Sequence, residues 1–221
     1  MPEQMSKTAE HRPDRQARTI RRLLILNQVS MAMQSTLHLE RLLHIILSGI
    51  TAGEGLGFNR AILFLVSEDR AMLEGRMGVG PINVEECQHI WSDIFSQGLQ
   101  LEDFLRSFDR VKRYQQSELN QRTRRLKLPL EPSGGILAQA VLEKRSFLVE
   151  DAKHDSRVNP AIRELLQTHS FAATPLIASD EVHGVIVVDN RFTQRPIEAD
   201  DLQLLSLMAN QAAVAIQNAR Q

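Results

Sequence analysis

The sequence holds a single cysteine, Cys87. One thiol excludes an internal disulfide, a thiolate metal cluster and a catalytic cysteine pair. Such sparing use fits a reducing compartment. No apolar run approaches the ~18–20 residues that a membrane-spanning helix needs. Residues 1–19 are charged and lack the apolar core of a secretory leader, so a cytoplasmic location is expected. Neither sign of charge is in excess: 26 Lys and Arg against 27 Asp and Glu leave −1. That removes a whole-chain pull toward nucleic acid or an anionic membrane. There is no Gly-x-Ser-x-Gly and no phosphate-binding loop. Gly53-Glu-Gly-Leu-Gly57 ends a helix before a strand, whereas a phosphate loop runs from strand into helix. The seven histidines form neither His-x-x-x-His nor His-Glu-x-x-His.

What is present is a chain of 221 residues, 43% hydrophobic. That suits one domain with extra helical segments, or at most two small domains. Residues 1–18 are polar, carry Pro2 and Pro13, and read as a mobile tail. From Ile20 to Met33 apolar residues recur at helical spacing, predicting a helix near 16–35. Its span over 19–36 would act as a linker or dimerisation helix. Thr36 can cap a second helix bearing Leu39, Leu42, Leu43, Ile46, Leu47 and Ile50, which fades at Gly53, Gly55 and Gly57.

Arg60 to Val66 is a short continuous apolar run and reads as a strand buried on both faces. Residues 71–77 return as the second arm of a hairpin. Between 82 and 131 the character changes. Ile82 to Phe95 looks helical, with Ile90, Ile94 and nearby Trp91 facing inward, and Leu101 to Leu126 looks helical too. Eight basic residues between Arg106 and Lys127 face only Asp109 and Glu118. This run reads as a solvated helix face, and no nucleic-acid motif accompanies it. Pro129, Pro132, Gly134 and Gly135 close the segment as a loop. A helix at 136–143, a strand at 146–149, a helix at 160–167, strands at 171–177 and 182–188, and a long helix at 198–220 follow. Two strand pairs joined by hairpin-length turns argue for an antiparallel sheet. Helices from the two chain ends must cover one of its faces.

Four segments carry a resemblance to the GAF family over residues 37–221. They are Phe58-Asn-Arg-Ala-Ile-Leu-Phe-Leu-Val66; Gly134-Gly-Ile-Leu-Ala-Gln-Ala-Val141 with Phe147-Leu-Val-Glu-Asp-Ala152; Ala172-Ala-Thr-Pro-Leu176 with Gly184-Val-Ile-Val-Val-Asp189; and Phe192 with Glu198-Ala-Asp-Asp-Leu-Gln-Leu-Leu205. The resemblance implies an α+β fold, GAF/PAS-like, with about six antiparallel strands. The N- and C-terminal helices would lie on one face, and short helices and loops would close a pocket on the other, where this chain departs from a minimal domain of the family by a long helical insertion at about 82–133. It further implies a regulatory sensory domain, not an enzyme. Its end helices, including a signalling helix at 198–221, would dimerise and relay a signal to an output such as a histidine kinase, covalently linked outside this chain. A ligand-free dimerisation or scaffold module is the alternative.

No cofactor is legible. Asn190-Arg191-Phe192 and Asp200-Asp201 only partly echo the cyclic-nucleotide pattern of the family. They read equally as a turn and a helix start. Cys87 and His89 would face apart on a helix, which disfavours a bilin attachment site. Methionine sulfoxide reduction needs several cysteines, and one leaves no resolving thiol. For a small, mostly apolar ligand of unknown identity, the expected pocket residues are Phe64, Met77, Trp91, Phe95, Phe147, Phe171, Thr174 and His183.

Overall fold

The computed structural model describes residues 11–53, 55–98, 100–106 and 116–220. β1 (Arg60–Val66) is buried along its whole length. On one side it pairs with β2 (Met72–Val79), which pairs in turn with β3 (Lys127–Pro129). On the other side it pairs with β6 (Glu181–Asp189), followed by β5 (Phe171–Ala178) and β4 (Phe147–Val149). The result is one six-stranded antiparallel sheet, in the order β3-β2-β1-β6-β5-β4. β3 stands where a closing loop was expected. Its Leu128 is buried, and its proline falls at the end of an edge strand, where a missing amide costs no ladder bond.

The β5–β6 hairpin turns through Ser179 and Asp180, both at positive φ, as a two-residue type I′ turn requires. Two bulges interrupt the ladders. Leu63 pairs with Met77 but Phe64 pairs with Gly75, so Arg76 is an extra residue on β2. Leu176 pairs with Gly184 but Ile177 pairs with Val182, so His183 is the extra residue on β6. A bulge switches the faces that later side chains occupy.

One face carries α1 (His11–Gln34), α2 (Leu39–Thr51) and, after the intervening helices, α8 (Ala199–Arg220). Val29 and Met33, six apolar residues of α2, and Leu205, Met208 and Ile216 of α8 form one cluster with Leu63, Leu65, Leu176 and Ile186 of the sheet. Ala209, Ala212 and Ala213 are fully buried. Their small side chains let α8 lie close against β5. The polar stretch at 11–18 differs from the expected tail. It is helical, because Pro13 falls in the first turn, where its lost amide has no partner to forfeit. Residues 1–10 lie outside the described residues. Thr36 does not begin α2. It precedes the helix, and its Oγ1 accepts the His38 amide at 3.1 Å.

The insertion divides. α3 (Val84–Gln97) buries only Cys87 among its described side chains. α4 (Leu101–Arg106) sends Leu101 and Leu105 into the terminal-helix cluster, not over the opposite face as expected. The other face is covered by α5 (Glu118–Arg124), α6 (Ile136–Leu142) and α7 (Pro160–Leu166). α5 starts at Ser117, whose Oγ accepts the Asn120 amide. α7 starts at Asn159, with Pro160 in its first position. Both are ordinary N-caps.

Candidate functional site

Beneath α5, α6 and α7, Ile62, Phe64 and Val66 of β1 meet Phe171, Ala173, Val185 and Val187. Leu119, Leu128, Ile136, Leu137, Phe147 and Ile162 pack onto them. Phe64 and Phe171 are fully buried and Phe147 nearly so, with the Arg145 guanidinium 4.1 Å from the Phe147 ring centre. α5 lies directly on β2. A Cβ at Gly75 would sit 1.9 Å from the Thr123 carbonyl oxygen. The Asn120 side chain accepts the Gly78 amide at 3.0 Å.

Three of the eight expected pocket residues, Phe64, Phe147 and Phe171, thus share this core. Met77 and Thr174 do not. Met77 follows the bulge at Arg76 and joins the terminal-helix cluster. Thr174 lies three residues from Phe171, and strand alternation puts such a pair on opposite faces. Its hydroxyl accepts from Ser146 at 3.1 Å, and Ser146 contacts Ser206 of α8 at 3.2 Å. Trp91 is 46% exposed, not inward. α3 presents Cys87, Ile90 and Ile94 to the protein, and Trp91 falls on the flank of that stripe. The Phe95 side chain lies outside the described residues. His183 is the bulged residue near the β5–β6 turn. Its Nε2 is buried, with no hydrogen-bond partner among the described residues. Burial pushes its pKa down. Glu181 opposes this, and the nearby Arg220 and Arg70 charges reinforce it.

The most polar feature of this face was missed in the sequence. Arg60 and Asp189 sit opposite each other at the ends of β1 and β6, both essentially unexposed. Arg60 Nε donates to both carboxylate oxygens at 3.0–3.1 Å, and Nη2 donates to Oδ2 at 2.7 Å. Nη2 also donates to the Leu166 carbonyl at the end of α7. Burial pushes the Asp189 carboxyl upward, against the pull of Arg60 and of the Arg191 amide. The Arg60 stem is held against Gly80. At φ 123° that glycine occupies a backbone region closed to other residues, and a Cβ there would lie 2.8 Å from Arg60 Cγ. Arg60 Nη1 is buried and has no hydrogen-bond partner among the described residues.

Arg191 stands beside this pair. Its Nη1 donates weakly to the Leu166 and Ile82 carbonyls at 3.3 and 3.5 Å. Its guanidinium and that of Arg60 both lie over the Phe192 ring, at 5.5 and 5.7 Å. Burial and the Arg60 charge push the Arg191 pKa down, opposed by Asp189. The segment continues into the helical face. Asn190 closes the turn, its Nδ2 donating to the Arg195 carbonyl. Arg195 and Arg22 of α1 both pair with the buried Asp201 in the first turn of α8, at 2.8 and 3.1 Å.

Two open depressions lie elsewhere. One of about 320 Å³ runs between the end of α1 and α8, past Met33, Leu37, Gln211 and Val214. Another of about 230 Å³ is bordered by Glu150, His169, Asn190 and Arg195. Neither is lined by any of the eight expected residues.

A model of the GAF domain family matches residues 36–217, and the chain belongs to that family. The sequence matches no curated protein. Its fold is similar to the GAF domain of a phosphoenolpyruvate-protein phosphotransferase from Coxiella burnetii, at 16% identity and TM-score 0.61, covering 91% of this chain and 95% of that one. It is also similar to residues 122 to 287 of a methyl-accepting chemotaxis protein, at 18% identity and TM-score 0.58, covering 87% and 96%. A third is the free methionine-R-sulfoxide reductase from Neisseria meningitidis in complex with its substrate, at 14% identity and TM-score 0.57, covering 89% of each. At these identities the likeness is one of fold.

Proposed function

We propose that this domain is a regulatory sensory module. A small molecule binds on the sheet face beneath the middle helices, and the signal leaves through α1 and α8. The observation that carries this reading is the continuity of residues 189–201. Within them, Asp189 holds the buried Arg60, Arg191 stands over Phe192, and Asp201 ties α8 to Arg195 and to Arg22 of α1. A ligand that shifts the first part of this segment moves the contact between the two terminal helices. To shift a population it must bind one arrangement better than the other.

Binding rather than catalysis fits the chemistry. Cys87 is buried, and burial pushes its thiol pKa up, the opposite of a reactive thiolate. A buried thiol of this kind supports a cytoplasmic signalling role over reductase chemistry. No helix among the described residues is long and apolar enough to cross a membrane.

The terminal helices also suit a homodimer and a covalently linked output domain. Ile20, Leu23, Leu24 and Met31 of α1 and Val214 of α8 are each about half exposed or more, an apolar surface that a second copy would cover. A monomer by light scattering at tens of micromolar would refute this part. A second reading, a ligand-free scaffold, is favoured by one observation: the core around Phe64 and Phe171 is filled by the protein's own side chains. Native mass spectrometry of the purified protein, with thermal shift against a broad metabolite panel, separates the two. A stoichiometric bound species or saturable stabilisation is expected for a sensor, and silence across the panel sinks it.

A further inference from the structure

We propose that the ligand carries an acidic group, a carboxylate or a phosphate, and that Arg60 Nη1 and Arg191 receive it at the β1-start end of the sheet. This rests on the sensory reading above and names the chemistry of its ligand.

The argument begins with donors. A guanidinium has five N–H groups on a planar fork. Asp189 occupies the Nε and Nη2 edge of Arg60, and the Leu166 carbonyl takes a further bond from Nη2. Nη1 points away from that edge, is buried, and has no acceptor among the described residues. A buried donor on a charged group is costly to leave unmade, so the site is incomplete as the chain alone builds it. Charge leads to the same conclusion. Two guanidinium groups share the Leu166 carbonyl and the Phe192 ring, and one carboxylate answers them. Of the α3 carboxylates Glu85, Glu86 and Asp93, Glu86 accepts the Ile82 amide at 2.8 Å, and among the described residues none of the three pairs with Arg60 or Arg191. Among the described residues the Arg191 guanidinium makes only long bonds, between 3.3 and 3.5 Å, to two carbonyls and the Gln167 side chain. It is half-buried but not committed, and can swing to a better acceptor. A water at Nη1 would satisfy its hydrogens but leave the surplus positive charge. An anion answers both, and arginine pairs are suited to its planar or tetrahedral oxygens.

The test uses the full chain and three probes at matched ionic strength: inorganic phosphate, succinate, and succinamide as the neutral counterpart. Thermal stability is followed from 0 to 20 mM, in the native protein and in Arg191→Gln. That substitution leaves the Arg191 backbone amide on Asp189, and circular dichroism checks its fold. A saturable rise in Tm with phosphate or succinate is expected, with none for succinamide. In Arg191→Gln the half-saturating concentration should rise at least about tenfold, the size of one lost charge-assisted hydrogen bond. Because replacing Arg60 risks unfolding, its part is read by 15N NMR of the arginine side chains. The Arg60 Nη resonances should shift with the same saturation curve. Which probe acts tells carboxylate from phosphate. The assignment is overturned by an equal Tm rise in Arg191→Gln, by equal action of succinamide, by an unmoved Arg60 signal, or by no response to either anion, which would leave water as the partner of Nη1. A neutral metabolite saturating the protein in the wider panel would then keep the sensory reading and discard this one.

Discussion

Breaking the Arg60–Asp189 pair should cost far more than replacing it. Both side chains are essentially inaccessible, and three short hydrogen bonds join them. Asp189→Leu strands a buried guanidinium with the Leu166 carbonyl and an aromatic ring as its remaining partners. Arg60→Met strands a buried carboxylate. Removing one partner of such a pair costs about 3–5 kcal/mol. For a chain of this length that is a fall in Tm of roughly 6–20 °C, and a large fraction of the ~5–15 kcal/mol that holds a domain folded. The double replacement strands no fully buried charge, although the half-buried Arg191 loses Asp189 as its counter-charge. Its residual cost is the Arg191 amide, which now bonds Asp189 at 3.0 Å and would lose about 1–3 kcal/mol. The two single costs should therefore exceed the double by at least ~2 kcal/mol, a coupling that a double-mutant cycle measures directly. Urea unfolding followed by far-UV circular dichroism at fixed protein concentration is the suitable assay. The single tryptophan, Trp91, is half exposed already and reports folding poorly. Single variants costing less than ~1 kcal/mol, or a double variant equal to their sum, would refute the reasoning.

Gly75→Ala should destabilise by about 1–3 kcal/mol or more, because its Cβ meets the Thr123 backbone and α5 must lift; an unchanged urea midpoint would show that α5 does not rest on β2. The His183 pKa is lowered in the folded state. Its contribution is then fully present above the unfolded value of about 6.5 and is lost as pH falls below it. The fall in Tm between pH 7.5 and 5.5 should be shallower in His183→Gln, and an identical slope would remove His183 from the account. Met77→Ala should cost about 2–5 kcal/mol as a core cavity, yet leave any ligand's half-saturation unchanged after correction for stability, since Met77 faces the terminal helices; a weakened ligand would return it to the binding face.

The fold was legible because its signals are periodic and local. The apolar run of β1 behind Arg60, the turn at Ser179-Asp180 and the stripe on α2 each state their structure within a few residues. β3 was not legible. Three residues, one of them proline, carry no period, and only their pairing with Met72, Leu73 and Glu74 of β2 makes them a strand. The placement of α4 was equally hidden. Leu101 and Leu105 show a helical face but not which side of the sheet it meets.

Which side chains share a face depends on counting by twos, and the count fails at a bulge. Met77 reads as a partner of Leu73 and Gly75 until Arg76 is recognised as extra. No residue type announces that in advance. Thr174 needed no structure to be set apart from Phe171, because an odd separation on an unbulged stretch is decisive. The Arg60–Asp189 pair is readable only once β1 and β6, far apart in the chain, are known to be neighbours. In adjacent antiparallel strands the first residue of one faces the last of the other. An arginine heading one apolar run and an aspartate ending another are then placed opposite each other, in the part of the sheet least able to leave either charge alone. Charge at the ends of strands that are otherwise apolar on both faces is therefore a signal of a buried pair. Here it is also the signal that leads to the unpartnered Nη1.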